Sequence, residues 1–177
     1  MAIILGLNTH HAGSSAALLI DGLPVAAIAE ERLNRIKYYA GFPAKSILEV
    51  MRIGGVTFRD IDYVAIGRDA SANRDKKVEY LLRNPTRLLN LLRIRSARSA
   101  LDDLSTLLVA ECGANPADLR FEQVNVEHHL AHIASAYFIS PWDHAAGFSM
   151  DGSGDFVTCM LAECEGKSIK VKKRIFV

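Results

Sequence analysis

Short apolar blocks alternate with turn-forming residues along most of the chain. Ala2 to Asn8 is an apolar run that ends in a small, polar cluster, Thr9-His10-His11-Ala12-Gly13-Ser14-Ser15. Ser15 to Asp21 and Pro24 to Glu30 read as two further strands, and the Asp21-Gly22 pair between them is a strong hairpin signal. Phe42-Pro43 opens a helix that runs to Gly54-Gly55, with Ile47, Leu48 and Met51 predicted on one face. Asp62 to Gly67 predicts a short buried strand. A helix over Ser99 to Cys112 is expected to end at Gly113, and Phe121 to Val126 is another strand. His128 to Ile139 predicts a helix stopped by Pro141.

The next segment repeats the opening. Ala145 to Met150 is an apolar run ending at Asp151. A small loop follows, Gly152-Ser153-Gly154-Asp155, then a strand from Phe156 to Glu163, a Glu165-Gly166 turn and a last strand from Ser168 to Val177. The spacing from Asn8 to Asp21 nearly equals that from Asp151 to Glu165, so two units begin alike. The predicted order is three strands, helix, strand, helix, strand, helix, then three strands. It describes an α/β protein of the ribonuclease-H-like, actin-like ATPase class. The first subdomain would occupy residues 1–140, with a basic helical insertion at 69–98, and 141–177 would supply the opening three strands of a second. One face of those last strands would lack covering helices. That leads us to expect a piece of a longer protein, able to self-associate through its exposed strands.

Composition narrows the class further. Half of the 177 residues are hydrophobic and the formal net charge is +1, as in an ordinary globular domain with no global attraction to nucleic acid or anionic membrane. Twelve glycines and five prolines are too few for a disordered or fibrous chain. Cys112, Cys159 and Cys164 show no metal or disulfide spacing and read as reduced thiols. The apolar start has no basic leader and is too short to span a membrane, so a cytoplasmic location is expected. Between Arg74 and Arg98 basic residues outnumber acids, but leucines fall at helical spacing and Tyr80 is the only nearby aromatic. A solvated helix face, or a lid over an anionic substrate, is expected there rather than a nucleic-acid patch.

Histidine carries the candidate chemistry. His128 and His132 lie four residues apart on a predicted helix, so both imidazoles project from one face and can share a metal ion. Asp151, ending the following strand, could add a carboxylate and leave the site open as catalytic sites are. Alternatively, the pair are helix-start histidines bonded to backbone. Imidazole suits iron, zinc, nickel or copper, and softness does not choose among them. The loops Thr9 to Ser15 and Gly152 to Asp155 are small-residue loops after buried strands, where backbone N–H groups can approach phosphate oxygens. Asn8, Ser14, Ser15, Gly152, Ser153, Gly154 and Asp155 are the candidate phosphate-binding positions. In the charged run Glu30 to Lys37, Arg35 or Lys37 could neutralise a phosphate oxygen, or the run could simply be solvated.

Four motifs in order resemble one family. They are Ile4-Leu5-Gly6-Leu7-Asn8-Thr9-His10-His11-Ala12-Gly13-Ser14-Ser15, Glu30-Glu31-Arg32-Leu33-Asn34-Arg35-Ile36-Lys37 with Gly41-Phe42-Pro43, His128-His129-Leu130-Ala131-His132, and Asp151-Gly152-Ser153-Gly154-Asp155. Together they resemble the amino-terminal part of carbamoyltransferases, the group that includes nodulation proteins and antibiotic-tailoring enzymes. The resemblance implies ATP-dependent transfer of a carbamoyl group from carbamoyl phosphate, through a carbamoyl-adenylate, to a hydroxyl or amine of a sugar or natural product. It implies a divalent metal, iron being plausible, on the residues matching His128, His132 and Asp151. It also implies that His11 and Lys37 lie near the carbamoyl and phosphate groups, with His11 a candidate to take a proton from the acceptor. Many members carry an aspartate after a first-loop His-Gly, where this chain has Gly13 after His11-Ala12. Two alternatives stand beside this: a transfer-RNA threonylcarbamoyl-type enzyme of the same fold, and a non-catalytic nucleotide- or metal-binding module.

Overall fold

A computed structural model of the chain describes residues 1–84 and 103–177. It is a mixed α/β protein whose residues gather into two compact units. One holds Met1–Ile66 and, among the described residues, 103–124; the other holds residues 67–84 and Asn125–Val177.

The first unit is a five-stranded sheet. Its strands are β1 (Ile3–Asn8), β2 (Ser15–Ile20), β3 (Leu23–Ala29), β4 (Tyr63–Ile66) and β5 (Glu122–Asn125), in the spatial order β3-β2-β1-β4-β5. The first three form an antiparallel meander, and β1 pairs in parallel with β4. Strict alternation along β1 buries Ile3, Leu5 and Leu7, and Ala16 and Leu18 do the same on β2. Against this face packs α2 (Ala44–Gly54), which buries Ile47, Val50 and Met51. Leu48, expected on that face, is 44% exposed, because its position on the helix points away from the sheet. In the short α1 (Glu30–Asn34), the charged run for which a solvated face was one of two readings, Glu30 is buried. Its carboxylate accepts hydrogen bonds from Ser46 N (2.7 Å) and Lys45 N (3.4 Å), capping the orphan donors at the start of α2.

Among the described residues, two α-helices lie between β4 and β5. α3 (Arg74–Arg83) belongs to the second unit, and α4 (Leu104–Cys112) to the first. α4 is capped by Asp103 at one end and stopped by Gly113, whose φ of +68° continues the chain at little steric cost, as expected from the sequence. The start predicted for this helix at Ser99 lies outside the described residues, as do Leu88, Leu89, Leu91 and Leu92 of the basic stretch. The described part of that stretch, α3, buries no residue, and Glu79 pairs with Lys76 (3.0 Å) and Arg83 (2.7 Å). It is a solvated helix.

The second unit is built on an antiparallel meander, β6 (His144–Gly154), β7 (Val157–Glu165) and β8 (Ser168–Phe176). Helix α5 (His128–Tyr137) lies on it, and Ile133 and Tyr137 pack with Met160, Ala162 and Cys164. Gly147 permits the close approach, since a Cβ there would sit 2.7 Å from Ile133 Cγ2. The sequence boundary at residue 140 groups this helix with the first strands; its packing groups it with the last three. The opposite face of the meander leaves Phe148, Met150, Leu161 and Ile175 exposed. Cys159 and Cys164 are buried free thiols and Cys112 is half-buried. Among the described residues no helix is long and apolar enough to cross a membrane.

Candidate metal centre

Helix α5 is anchored through its second residue. His129, Ile133 and Tyr137 recur at helical spacing and form the buried face. His129 is fully buried, with Nε2 2.8 Å from the Val157 carbonyl and Nδ1 2.8 Å from Ser149 Oγ. A carbonyl only accepts, so Nε2 carries the hydrogen bonded to Val157, and Nδ1 is hydrogen-bonded to the Ser149 hydroxyl, which can donate or accept. This ties the first turn of α5 to both β6 and β7 and fixes the rotation of the helix about its axis.

That rotation turns His128 and His132 to one side, over the end of β6. Their rings stand nearly perpendicular, with centroids 4.6 Å apart and Nε2 atoms 3.1 Å apart. Asp151 Oδ2 lies 3.0 Å from His128 Nε2 and 3.8 Å from His132 Nε2. Three donor atoms of the right chemistry therefore converge from two elements, all within 4.8 Å of one another. Bonds of about 2.0–2.1 Å at tetrahedral angles would separate ligand atoms by about 3.3 Å, so the three spacings suit one small divalent cation. His128 is mostly buried, whereas His132 and Asp151 are about half exposed, which leaves the site open on one side. The hydrogen bond from His128, then that from Gly152 N, hold the Asp151 carboxyl below its ordinary value, with the positive character of both imidazoles adding to them. Asp151 is thus a carboxylate ready to ligate at neutral pH.

Behind these groups lies a polar network that the sequence did not announce. Asp155 Oδ2 accepts from His128 N (2.9 Å) and from Asp69 N (2.7 Å). Asn73 donates to the Asp155 carbonyl (3.1 Å) and to Glu127 Oε1 (3.0 Å). Arg174 grips both oxygens of Glu127 at 2.7–3.2 Å. Burial works against ionisation of Glu127, but the Arg174 and Asn73 hydrogen bonds outweigh it and keep the carboxyl below its usual value. His129 had one sequence signal: it shares the spacing of Ile133 and Tyr137, which marks the buried face. Ser149, Asn73 and Arg174 had none.

Other candidate residues are distributed between the units. Gly152, Ser153 and Gly154, expected in a loop, belong to β6, because that strand continues through an irregular register to pair Gly154 with Val157. A Cβ at Gly154 would run into the His128 ring, so this glycine makes room for that ring. In the first unit, Asn8 donates to Gly13 O (3.0 Å) and shapes the first loop. Gly13 N and Ser14 N donate to Tyr39 O, and His10 N to Gly41 O, tying that loop to the segment that follows Lys37. Ser14 is buried, its hydroxyl 2.7 Å from Gly41 O and 3.1 Å from His11 O, so it folds the loop rather than facing solvent. Ser15 pairs with Ala29 within the sheet. His11, Arg35 and Lys37 are exposed, and Arg35 takes the left-handed conformation (φ +64°) that ends α1.

The sequence profile described as carbamoyltransferase N-terminus matches residues 3–176, nearly the entire chain. The chain belongs to the carbamoyltransferase family. Among curated relatives of this carbamoyltransferase chain, the uncharacterised protein sll1178 of Synechocystis sp. is 34% identical over 175 residues, covering 96% of the chain and 28% of the relative. Nodulation protein NolNO of Sinorhizobium fredii is 33% identical over 166 residues, covering 92% of the chain and 23% of the relative. The chain thus spans about a quarter of the length of these relatives. Among solved structures, YeaZ from Pseudomonas aeruginosa matches the whole chain and 67% of its own length, with a TM-score of 0.50 and 16% identity. That likeness concerns the fold alone.

Proposed function

We propose that this chain is the metal-holding, amino-terminal part of an ATP-dependent carbamoyltransferase on a ribonuclease-H-like, actin-like fold. The observation that carries the reading is the convergence of His128, His132 and Asp151 in a chain of this family. Strand order β3-β2-β1-β4-β5, with one parallel pairing beside an antiparallel meander, supports the finer fold, and the second meander fits a duplicated unit. His128, His132 and Asp151 would hold a divalent ion such as iron, which supplies Lewis-acid polarisation of a carbonyl or phosphoryl oxygen.

The chain's own residues do the rest in this proposal. Carbamoyl phosphate and ATP are the donors, and the acceptor is a hydroxyl or amine of a small molecule. Exposed Lys37 and Arg35 offset the negative charge of the phosphate groups. Within the second unit, backbone N–H groups around Gly152 and Ser153 at the end of β6 are the candidate phosphate contacts; within the first, Asn8 and Ser15 beside the first loop are. His11 takes the proton from the acceptor hydroxyl or amine as that oxygen or nitrogen bonds the carbamoyl carbon of the carbamoyl-adenylate, while the carbon–oxygen bond to the adenylate breaks and AMP leaves with its electron pair.

The test is the double substitution His128→Ala with His132→Ala in the full-length protein, since this chain alone is expected to be inactive. Bound metal by elemental analysis and ATP-dependent turnover of carbamoyl phosphate are both expected to vanish. Metal content equal to that of the unsubstituted protein would defeat the assignment.

A further inference from the structure

The candidate site has ligands on two elements, a helix and a strand, so something must set one against the other. The N-cap residue of α5, Glu127, provides no side-chain cap for its own helix. The first N–H of the helix, on His128, is bonded instead by the carboxylate of Asp155, which arrives from the turn between β6 and β7. A carboxylate at that end of a helix satisfies an orphan donor and complements the positive end of the helix dipole.

The turn itself is unusual. Asp155 and Phe156 both have positive φ, +50° and +74°, between the paired residues Gly154 and Val157. That is the geometry of a tight hairpin turn in which Asn and Gly are preferred and a bulky residue is strained. Strained backbone persists where its surroundings over-determine it, and here they do. The Asp155 carboxylate is bonded to His128 N and Asp69 N, its carbonyl to Asn73, and the Phe156 ring meets Tyr80 edge-on at 5.3 Å. Asp151 lies on β6, four residues before Asp155, and Gly154 lies against the His128 ring.

We propose that Asp155 is a positioning residue of the metal centre: it clamps the start of α5 to the β6–β7 turn and so holds His128 in reach of Asp151. This replaces the phosphate-contact role that its place in a Gly/Ser-rich motif suggests, and it rests on the metal reading of His128, His132 and Asp151. Asp155 acts through the backbone of a ligand, as outer groups that orient ligands do. It is outside the group of converging donor atoms.

Titration of the full chain with Co²⁺, followed by visible absorption, separates the possibilities. Asp155→Ala is expected to weaken Co²⁺ binding about 10–100-fold and to shift the absorption bands of the ion. Asp155→Asn keeps an oxygen that can accept the same two N–H bonds and is expected to restore affinity to within about threefold of wild type. Wild-type affinity in Asp155→Ala overturns the proposal. So does an Asp155→Asn chain as weak as Asp155→Ala, which would assign the residue a role through its charge. If Asp155→Ala does not fold, Asn73→Ala, which loosens the same turn from outside, is measured instead; a loss beyond about threefold supports the proposal and unchanged affinity overturns it. Asp151→Asn and the His128/His132 double variant serve as controls. If the wild type takes up no Co²⁺, or those variants bind it as the wild type does, the metal reading itself has failed and this inference falls with it.

Discussion

Replacing His129 by Phe is the most informative single perturbation of the fold around the site. The ring volume is largely kept, so cavity formation contributes little. Both ring nitrogens are lost, however, and each has a partner at 2.8 Å in buried surroundings, Ser149 Oγ and the Val157 carbonyl. Leaving a buried polar group unsatisfied costs about 1–3 kcal/mol, so two such groups imply a loss of about 2–6 kcal/mol, a large part of a typical domain's stability. Urea denaturation monitored by circular dichroism would measure it. Adding Ser149→Ala removes one of the two orphaned groups and is expected to return about 1–3 kcal/mol. A His129→Phe chain within about 1 kcal/mol of wild type, or a double variant no more stable than the single one, would refute the idea that these bonds fix α5 on the sheet.

Gly154→Ala is expected to displace the His128 ring and weaken divalent-metal binding about tenfold or more, because the added carbon overlaps the ring while the rest of the strand is unaffected; calorimetric titration showing wild-type affinity would count against it. Burial pushes the Cys112 thiol up to about 12, with Glu111 and Glu30 adding to the effect. The fold therefore favours the neutral thiol: its contribution is complete below the ordinary thiol value of about 8.5 and is lost as pH rises towards about 12. Alkylation of Cys112 at pH 8.5, followed by peptide mapping, should be more than about tenfold slower in the native chain than in urea, and equal rates would contradict the assignment.

Much of the local architecture was legible without coordinates. The 2-residue period of Ile3, Leu5 and Leu7, the Asp21-Gly22 turn, the helix end at Gly113 and the i, i+4 spacing of His128 and His132 are each fixed within a few residues by backbone sterics and side-chain direction. The same short range explains the errors. Gly152 and Ser153 carry loop-like chemistry and fall in a bulge, yet pairing resumes between Gly154 and Val157 and carries β6 to that residue. Leu48 is as apolar as Val50 but faces water, because the sheet decides which stripe of α2 is covered. Glu30 reads as a surface charge until α2 folds back and places Ser46 N upon it.

What only tertiary structure decided are the closures between residues distant in sequence. Asp155 reaches Asp69 across 86 positions, and Arg174 reaches Glu127 across 47. No periodicity encodes such pairs, since each depends on the path of every element between them. The paired imidazoles and Asp151 as their candidate carboxylate could be read from the chain, but the buried His129 that sets the direction of the imidazoles and the turn that carries Asp155 came from packing. The sequence by itself determined which atoms could ligate; the fold determined that they meet, because helix rotation and strand register are set by burial against partners far along the chain.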